Sequence, residues 1–262
     1  MTLSRSVLAH FWGSLLLLFF PLVLAGQFAQ RIRTARPSVT MGTYTIGKDV
    51  LQWQAGTRWQ EVHKDKLDHE VLQYKNVLRW GFLEHWEMSG VLNYQLDWAE
   101  TRGSRGATQG IRTIRLGVRH HLFEKAGFFK AAALQGRLWL PFSHRDNRQE
   151  ILGGRIMASV SYRLLGKLQL ITNGGWRWTG QASSKAISFF SLRFSHPLSR
   201  KLVLVADYFS DSKAFEPDYA IGIGYFIHTD WKLDIAVGNL GDSLKRHRYL
   251  EIGWATRIHW RE

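Results

Sequence analysis

An alternation of apolar and polar residues with a period of two runs through most of the chain. It is clearest between Trp86 and Trp98, where every second residue is large and apolar apart from Gly90, and the intervening residues are mostly polar. Residues 250–260 repeat the pattern almost to the C-terminus. Because successive side chains of a β-strand point to opposite faces, the pattern predicts strands with one apolar and one polar face. A transmembrane barrel places such strands between lipid and an aqueous lumen.

Twelve segments carry this alternation and are predicted to be strands. They are residues 50–62, 70–81, 86–98, 111–123, 128–140, 151–163, 168–179, 187–196, 201–210, 219–227, 231–238 and 249–260. Short connections alternate with longer, polar ones, as expected for periplasmic turns and external loops. We therefore predict an all-β fold, a transmembrane antiparallel up-and-down β-barrel of about twelve strands with both termini periplasmic.

Two other arrangements fit the same alternation. The region 219–238 is short and rich in glycine, so ten or fourteen strands are also compatible with the sequence. A soluble periplasmic sandwich or a lipocalin-like barrel would alternate too. Its apolar face would enclose a small core, however, and would not readily accommodate tryptophan at so many strand ends.

The N-terminus resembles a secretory signal peptide. Arg5 precedes the uncharged run 15–24, and the small residues Ala25 and Gly26 follow, so we expect residues 1–25 to be cleaved. The alternative is a retained membrane anchor, but the apolar run is shorter than the about 20 residues that a spanning helix needs. Residues 26–48 form a polar lead-in, interpreted as periplasmic, and residues 49–262 form the barrel domain. The sequence leaves open whether the lead-in plugs the lumen.

Composition places aromatic residues and positive charge in this framework. The chain has 12 Trp, no Cys and a formal net charge of +14. Without cysteine there is no disulfide and no lipoprotein anchor, and no motif predicts a metal or another cofactor. Aromatic residues near strand ends suggest the girdles that contact lipid at the two membrane interfaces. The predicted interface residues are Trp53, Trp59, Trp80, Trp86, Trp98, Trp254 and Trp260.

Many arginines occupy the polar face of the predicted strands, which would be the lumen face. They are Arg58, Arg79, Arg115, Arg119, Arg137, Arg155, Arg177, Arg193 and Arg257. The same face holds fewer acids: Glu87, Asp97, Asp207, Asp234 and Glu251. A narrow passage with surplus cations concentrates anions and repels cations. The sequence therefore predicts a passive channel or transporter for small anionic or aromatic solutes in the outer membrane of a Gram-negative bacterium.

Several motifs, in order along the chain, resemble the family named for a putative MetA pathway of phenol degradation, whose members are predicted outer-membrane barrels. The motifs are RPSVT at 36–40, LQWQAG at 51–56, RWGFLEHWEM at 79–88, LWLPFS at 138–143, LSRKLVLVADYF at 198–209 and IGIGYFI at 221–227. Two positions depart from the family pattern: Gln54 and Asp207 stand where glutamate is expected. The resemblance implies a barrel and a transporter-like role, and it does not name a solute.

Other function classes fit the sequence less well. The arginines could instead pair with the acids or with lipopolysaccharide, giving a closed structural or binding barrel whose basic loops at 100–110 and 239–248 engage a partner. A membrane hydrolase needs converging Ser and His, but no catalytic motif surrounds any histidine, so we predict no enzyme. Nucleic acid is excluded because no basic helix concentrates the charge. The expected partners are outer-membrane lipid, lipopolysaccharide, the barrel assembly machinery and a small solute.

Overall fold

The computed structural model describes residues 31–64, 67–101, 104–126, 128–142, 151–180, 185–211, 218–239 and 247–260. The predicted signal peptide, residues 1–25, lies outside the described residues. Within the described part of the chain, no helix has the length and hydropathy required to cross a membrane.

The described residues form twelve antiparallel strands that close into one barrel, which confirms the predicted fold class. The strands are β1 Val50–Lys64, β2 Leu67–Leu83, β3 Trp86–Thr101, β4 Ser104–Ala126, β5 Phe129–Leu140, β6 Gly153–Arg163, β7 Gln169–Trp178, β8 Ile187–Pro197, β9 Leu202–Asp211, β10 Asp218–His228, β11 Trp231–Asn239 and β12 His247–His259. Each strand pairs with its sequence neighbours, and β1 pairs with β12 to close the barrel.

The distribution of side chains is inverted relative to a soluble protein. Outward-facing apolar residues such as Leu116 and Leu134 are about half exposed, at 51% and 49%. Polar residues such as Gln52, Glu87 and Asn173 are almost fully buried inside. Lipid covers the outer face of a transmembrane barrel, so the apolar belt needs no protein partner. The apolar positions of the alternation therefore face lipid, and the polar positions face the lumen.

The hairpin of β3 and β4 extends further than the sequence predicted. The segment 100–110 was expected to be a loop, but β4 begins at Ser104, and Ala99 pairs with Gly106. Residues 106–109 are all exposed. A hairpin that projects beyond the apolar belt contacts water on both faces. It therefore needs no apolar face, and the period of two does not reveal it.

The two ends of the barrel differ. At one end the strands are joined by short connections, such as Glu84 and His85 between β2 and β3, or Thr229 and Asp230 between β10 and β11. We call this the short-turn end. The first strand starts there and the last strand ends there, since Val50 pairs with His259. At the opposite end the connections between β1 and β2 and between β3 and β4 are also short, but the other four are longer, so we call it the long-loop end.

Residues 31–49 are called the lumen segment; most of them lie inside the barrel, whereas Arg31 and Lys48 near its ends are exposed. No regular secondary structure forms in this segment. The backbone N–H of Ile32 donates to Thr229 at the short-turn end, and that of Asp49 donates to Gly81 of β2. The sequence left open whether the lead-in enters the lumen, and most of residues 31–49 do so.

Candidate functional site

Polar side chains of the barrel wall hold the lumen segment by its backbone. Asp207 of β9 accepts from Val39 N (3.1 Å), Asn173 of β7 accepts from Met41 N (2.7 Å), and Glu87 of β3 accepts from Ile46 N (3.1 Å). Arginines donate to its carbonyls: Arg193 to Thr40 and Arg119 to Tyr44. An irregular backbone away from bulk water needs such partners. The wall therefore provides hydrogen-bond partners that hold this segment in one position.

Arg36 is the electrostatic anchor of the lumen segment. It is 6% exposed, and its Nε lies 3.0 Å from Asp234 Oδ1 while its Nη1 lies 3.0 Å from Glu251 Oε1. Gly56 and Gly253 are directly paired between β1 and β12. A Cβ added at either glycine would overlap the Arg36 guanidinium, at 2.2 and 2.0 Å from Nη2. The two glycines thus form a slot that admits this side chain.

Tyr44 anchors the other side of the lumen segment. Arg33 lies over its ring, with Cζ 3.7 Å from the centroid, and the ring of His121 stacks against it at 5.3 Å. His121 Nδ1 also lies 2.9 Å from the carbonyl oxygen of Thr43. Burial raises the pKa of the Tyr44 phenol to about 12, so the ring stays neutral. Its neighbour in sequence, His120, lies on the outside of the barrel against Trp86 at 4.1 Å.

A cavity of about 260 Å³ lies between the lumen segment and the wall. Its cationic lining consists of Arg36, Arg58, Lys75, Arg79, Arg112, Arg115, Arg119, Arg137 and Arg155. Glu87 and Glu251 are its carboxylates, and Val39, Met41 and Val77 supply apolar surface. We call this space the arginine cavity.

A second basic space opens at the short-turn end. This cavity of about 550 Å³ is lined by Arg31, Lys130, Arg163 and Lys167, together with apolar residues such as Phe226. Cations therefore line the cavities found both at the short-turn end and farther inside the barrel.

Each carboxylate in the arginine cavity already has a cation. Arg79 Nη2 lies 2.5 Å from Glu87 Oε2, and Arg119 Nη1 lies 3.4 Å from Glu87 Oε1. Glu251 is shared by Arg36 and Arg58, whose Nη2 lies 2.5 Å from Glu251 Oε2. No carboxylate of this cavity is left for the remaining arginines.

Three arginines stand in one row across neighbouring strands. Arg137 of β5 is the direct partner of Arg155 of β6, and Arg155 is the direct partner of Arg177 of β7. Like charges directly opposite each other on a sheet are destabilising. Arg115 of β4 also lies in this part of the wall, with its guanidinium 5.1 Å from the Trp139 ring. Four arginines thus lie on the four neighbouring strands β4 to β7 of this wall.

The arginines predicted from the sequence divide into five groups. Arg58, Arg79 and Arg119 line the cavity but pair with Glu251 or Glu87, whereas Arg115, Arg137 and Arg155 line it without a carboxylate among the described residues. Arg193 binds the lumen segment. Arg257 pairs with Asp230 at the short-turn end, with Nε 2.6 Å from Oδ1, and Arg177 continues the row.

Two arginines of the cavity, Arg112 and Arg36, were not among the predicted lumen residues. Arg112 occupies a β-bulge opposite Asn93 and Tyr94, where an extra residue breaks the alternation. Arg36 belongs to the lumen segment, which has no period. The signal for Arg36 was present all the same, since it opens the motif at 36–40 that carries part of the family resemblance.

The predicted interface tryptophans lie on the outer face. Trp53, Trp59, Trp80, Trp86 and Trp98 are 38–42% exposed, and Trp260 is 58% exposed. Trp254 packs edge-on against Trp53, with ring centroids 4.8 Å apart, and Trp80 contacts Trp260 at 6.5 Å. Several of them cluster near the short-turn end around the β1–β12 pair.

A closed antiparallel barrel with an apolar outer belt and a polar interior defines a transmembrane β-barrel of the outer-membrane type. The family model described as Putative MetA-pathway of phenol degradation matches residues 34–251. The chain belongs to this family, which confirms the resemblance found in the sequence. The matched region begins within the lumen segment.

Solved structures share the barrel fold. The KdgM porin in complex with disordered oligogalacturonate is 8% identical, with 78% of this chain and 99% of that chain covered and a TM-score of 0.53. The transport unit of the autotransporter AIDA-I from Escherichia coli is 9% identical, with 85% and 94% covered and a TM-score of 0.54. No curated protein matches the sequence. Identities this low support a common fold and nothing finer.

Proposed function

We propose that this protein is a passive outer-membrane channel for small anionic or aromatic solutes, without catalytic activity. The observation that carries the proposal is the set of Arg115, Arg137 and Arg155, which face the arginine cavity without a carboxylate among the described residues. Arg155 is the direct cross-strand partner of both Arg137 and Arg177, so its neighbours on both adjacent strands are cations. In a passage walled by protein, such a field attracts anions and repels cations.

The barrel fold and its relatives are compatible with this role. The solved structures that share the fold include porins, and the KdgM porin was solved in complex with disordered oligogalacturonate. Its ligand does not transfer to this chain, since only the fold is shared. The basic space at the short-turn end would extend the attraction for anions to that mouth.

The test is the reversal potential of the refolded protein in a planar bilayer under a salt gradient. We expect conductance steps whose reversal potential has the sign of anion selectivity. Arg115→Glu combined with Arg155→Glu should move it toward cation selectivity, whereas Arg200→Glu, at an exposed turn outside the arginine cavity, should move it less. An unchanged reversal potential in the double variant contradicts an arginine-controlled lumen.

A closed barrel without transport is the second candidate, and the lumen segment favours it. This segment contacts wall residues from β3, β7, β9 and β11 and reduces the free lumen. Absence of conductance from a folded, heat-modifiable barrel would support this candidate and contradict the channel.

A further inference from the structure

The arginine cavity has the features of a binding site as well as of a passage. Arg137 is 7% exposed, and its Nε is buried without a hydrogen-bond acceptor in the described structure, as are the Nε atoms of Arg115 and Arg155. Buried polar groups are normally satisfied. Three arginines that line one space thus each keep a buried Nε–H without an acceptor in the described structure, although Arg155 Nη2 donates to Gln135 Oε1 at 3.1 Å.

The charge of this wall favours a ligand that carries more than one negative charge. Arg137 is the direct cross-strand partner of Arg155, and both carboxylates of the cavity, Glu87 and Glu251, form ion pairs with other arginines. Glu87 itself is bound by Arg79 and Arg119. A single carboxylate would leave at least two of the three cations uncompensated. Adjacent strands are about 4.8 Å apart, so Arg137 and Arg155 are close enough to bind two anionic groups of one small molecule.

Part of the cavity lining is apolar. Val39 and Met41 of the lumen segment and Val77 of β2 line it. The cavity, at about 260 Å³, is smaller than the roughly 300–1,000 Å³ of cavities that bury drug-sized ligands. The space is sufficient for a single substituted ring, and too small for an extended oligosaccharide.

We propose that the arginine cavity binds a small organic acid that carries two anionic groups on an apolar body of about one ring. The anionic groups bind Arg115, Arg137 and Arg155, whose planar guanidiniums match carboxylates with paired donors. The apolar body packs against Val39 and Met41. This inference rests on the proposed channel, because it names the class of solute that the lumen selects.

Calorimetric titration of the detergent-solubilised, refolded protein tests the site with four probes: phthalate, benzoate, succinate and digalacturonate. We expect phthalate to bind at least tenfold more tightly than benzoate, which has one charge, and than succinate, which has no ring. Digalacturonate should bind more weakly than phthalate because of its size. Equal affinity for phthalate and benzoate, or preferential binding of digalacturonate, would overturn the proposal.

Variants assign the binding to the arginine wall. Arg137→Gln combined with Arg155→Gln should weaken phthalate binding at least tenfold, whereas Arg200→Gln should leave it unchanged. Arg137→Lys combined with Arg155→Lys keeps the charge and the fold while removing the planar donors, and should still lose several-fold. If the lysine variant binds like the wild type, general charge attraction explains the affinity and the site as proposed is wrong.

The binding readout is independent of conductance. Anion-selective current without phthalate binding would contradict the site and leave the channel standing. Phthalate binding by a folded barrel that carries no current would contradict the channel and leave the site standing.

Discussion

Arg36 and Asp234 form an ion pair inside the barrel, with Arg36 Nε 3.0 Å from Asp234 Oδ1, although 198 residues separate them in the sequence. Glu251 contacts the same guanidinium. A residue of the irregular lumen segment thus holds two carboxylates of the barrel wall. This contact ties the position of the segment to the charge of the lumen.

We expect Arg36→Gln to destabilise the barrel, because it leaves Asp234 buried without its cation. Breaking one partner of a buried ion pair costs about 3–5 kcal/mol. Urea unfolding in liposomes measures the change, with Lys48→Gln as the control, since Lys48 is an exposed cation of the same segment. Adding Asp234→Asn to Arg36→Gln should recover part of the loss. Purely additive effects would show that the pair does not couple.

The glycine slot predicts a second route to the same defect. Gly253→Ala should displace the Arg36 guanidinium, because the added Cβ would lie 2.0 Å from its Nη2. Overpacking of this kind costs about 1–3 kcal/mol. Gly136→Ala is the control, since its Cβ would meet no atom within 4 Å. In the Arg36→Gln background the Gly253→Ala cost should shrink, and an equal cost in both backgrounds would mean that the slot does not serve Arg36.

Mobility of the lumen segment can be tested with a disulfide, because the chain has no cysteine of its own. Thr43 Oγ1 lies 3.2 Å from Ser161 Oγ, so cysteines at these two positions should be close enough to bond. We expect oxidation of the Thr43→Cys, Ser161→Cys variant to lower conductance several-fold relative to the reduced form, since a solute passing the segment displaces it. The conductance of each single-cysteine variant should not change on oxidation. Equal conductance in both redox states would mean that ions pass beside a fixed segment.

The lipid face predicts a strong asymmetry between adjacent residues of β4. Leu116 is 51% exposed on the outer face, next to the lumen residue Arg115. Leu116→Arg should cost about 2–4 kcal/mol of folding free energy in liposomes if it lies near the bilayer midplane. Leu116→Ala removes the apolar side chain without adding charge and should cost less. Similar losses from both would argue against a lipid-facing position.

Most of the barrel could be predicted because the lipid boundary imposes a period of two. The first residues of β3 and β11, Trp86 and Trp231, are the ones that the sequence predicted. The extension of β4 back to Ser104 was missed, since a hairpin in water has no apolar face. The bulge at Arg112 was missed because an inserted residue follows no period.

The site could be predicted only in part. Alternation placed Arg115, Arg137 and Arg155 on the polar face, but it could not tell them from Arg79, whose charge is matched by Glu87 eight residues away. Pairing depends on register between strands and on the path of the lumen segment. Arg36 and Asp234 are too distant in sequence for any local pattern to connect them.

The slot formed by Gly56 and Gly253 also lies at the seam that closes the barrel. These glycines belong to β1 and β12, the two strands whose pairing closes the barrel. Their loop spans nearly the whole barrel domain, so this pairing carries the largest loop-closure entropy of any strand pair. Arg36 reaches Asp234 of β11 and Glu251 of β12 on the inside of that seam. Once the segment is in place, the ion pairs of its arginine join residues from the two ends of the chain and offset part of this entropy.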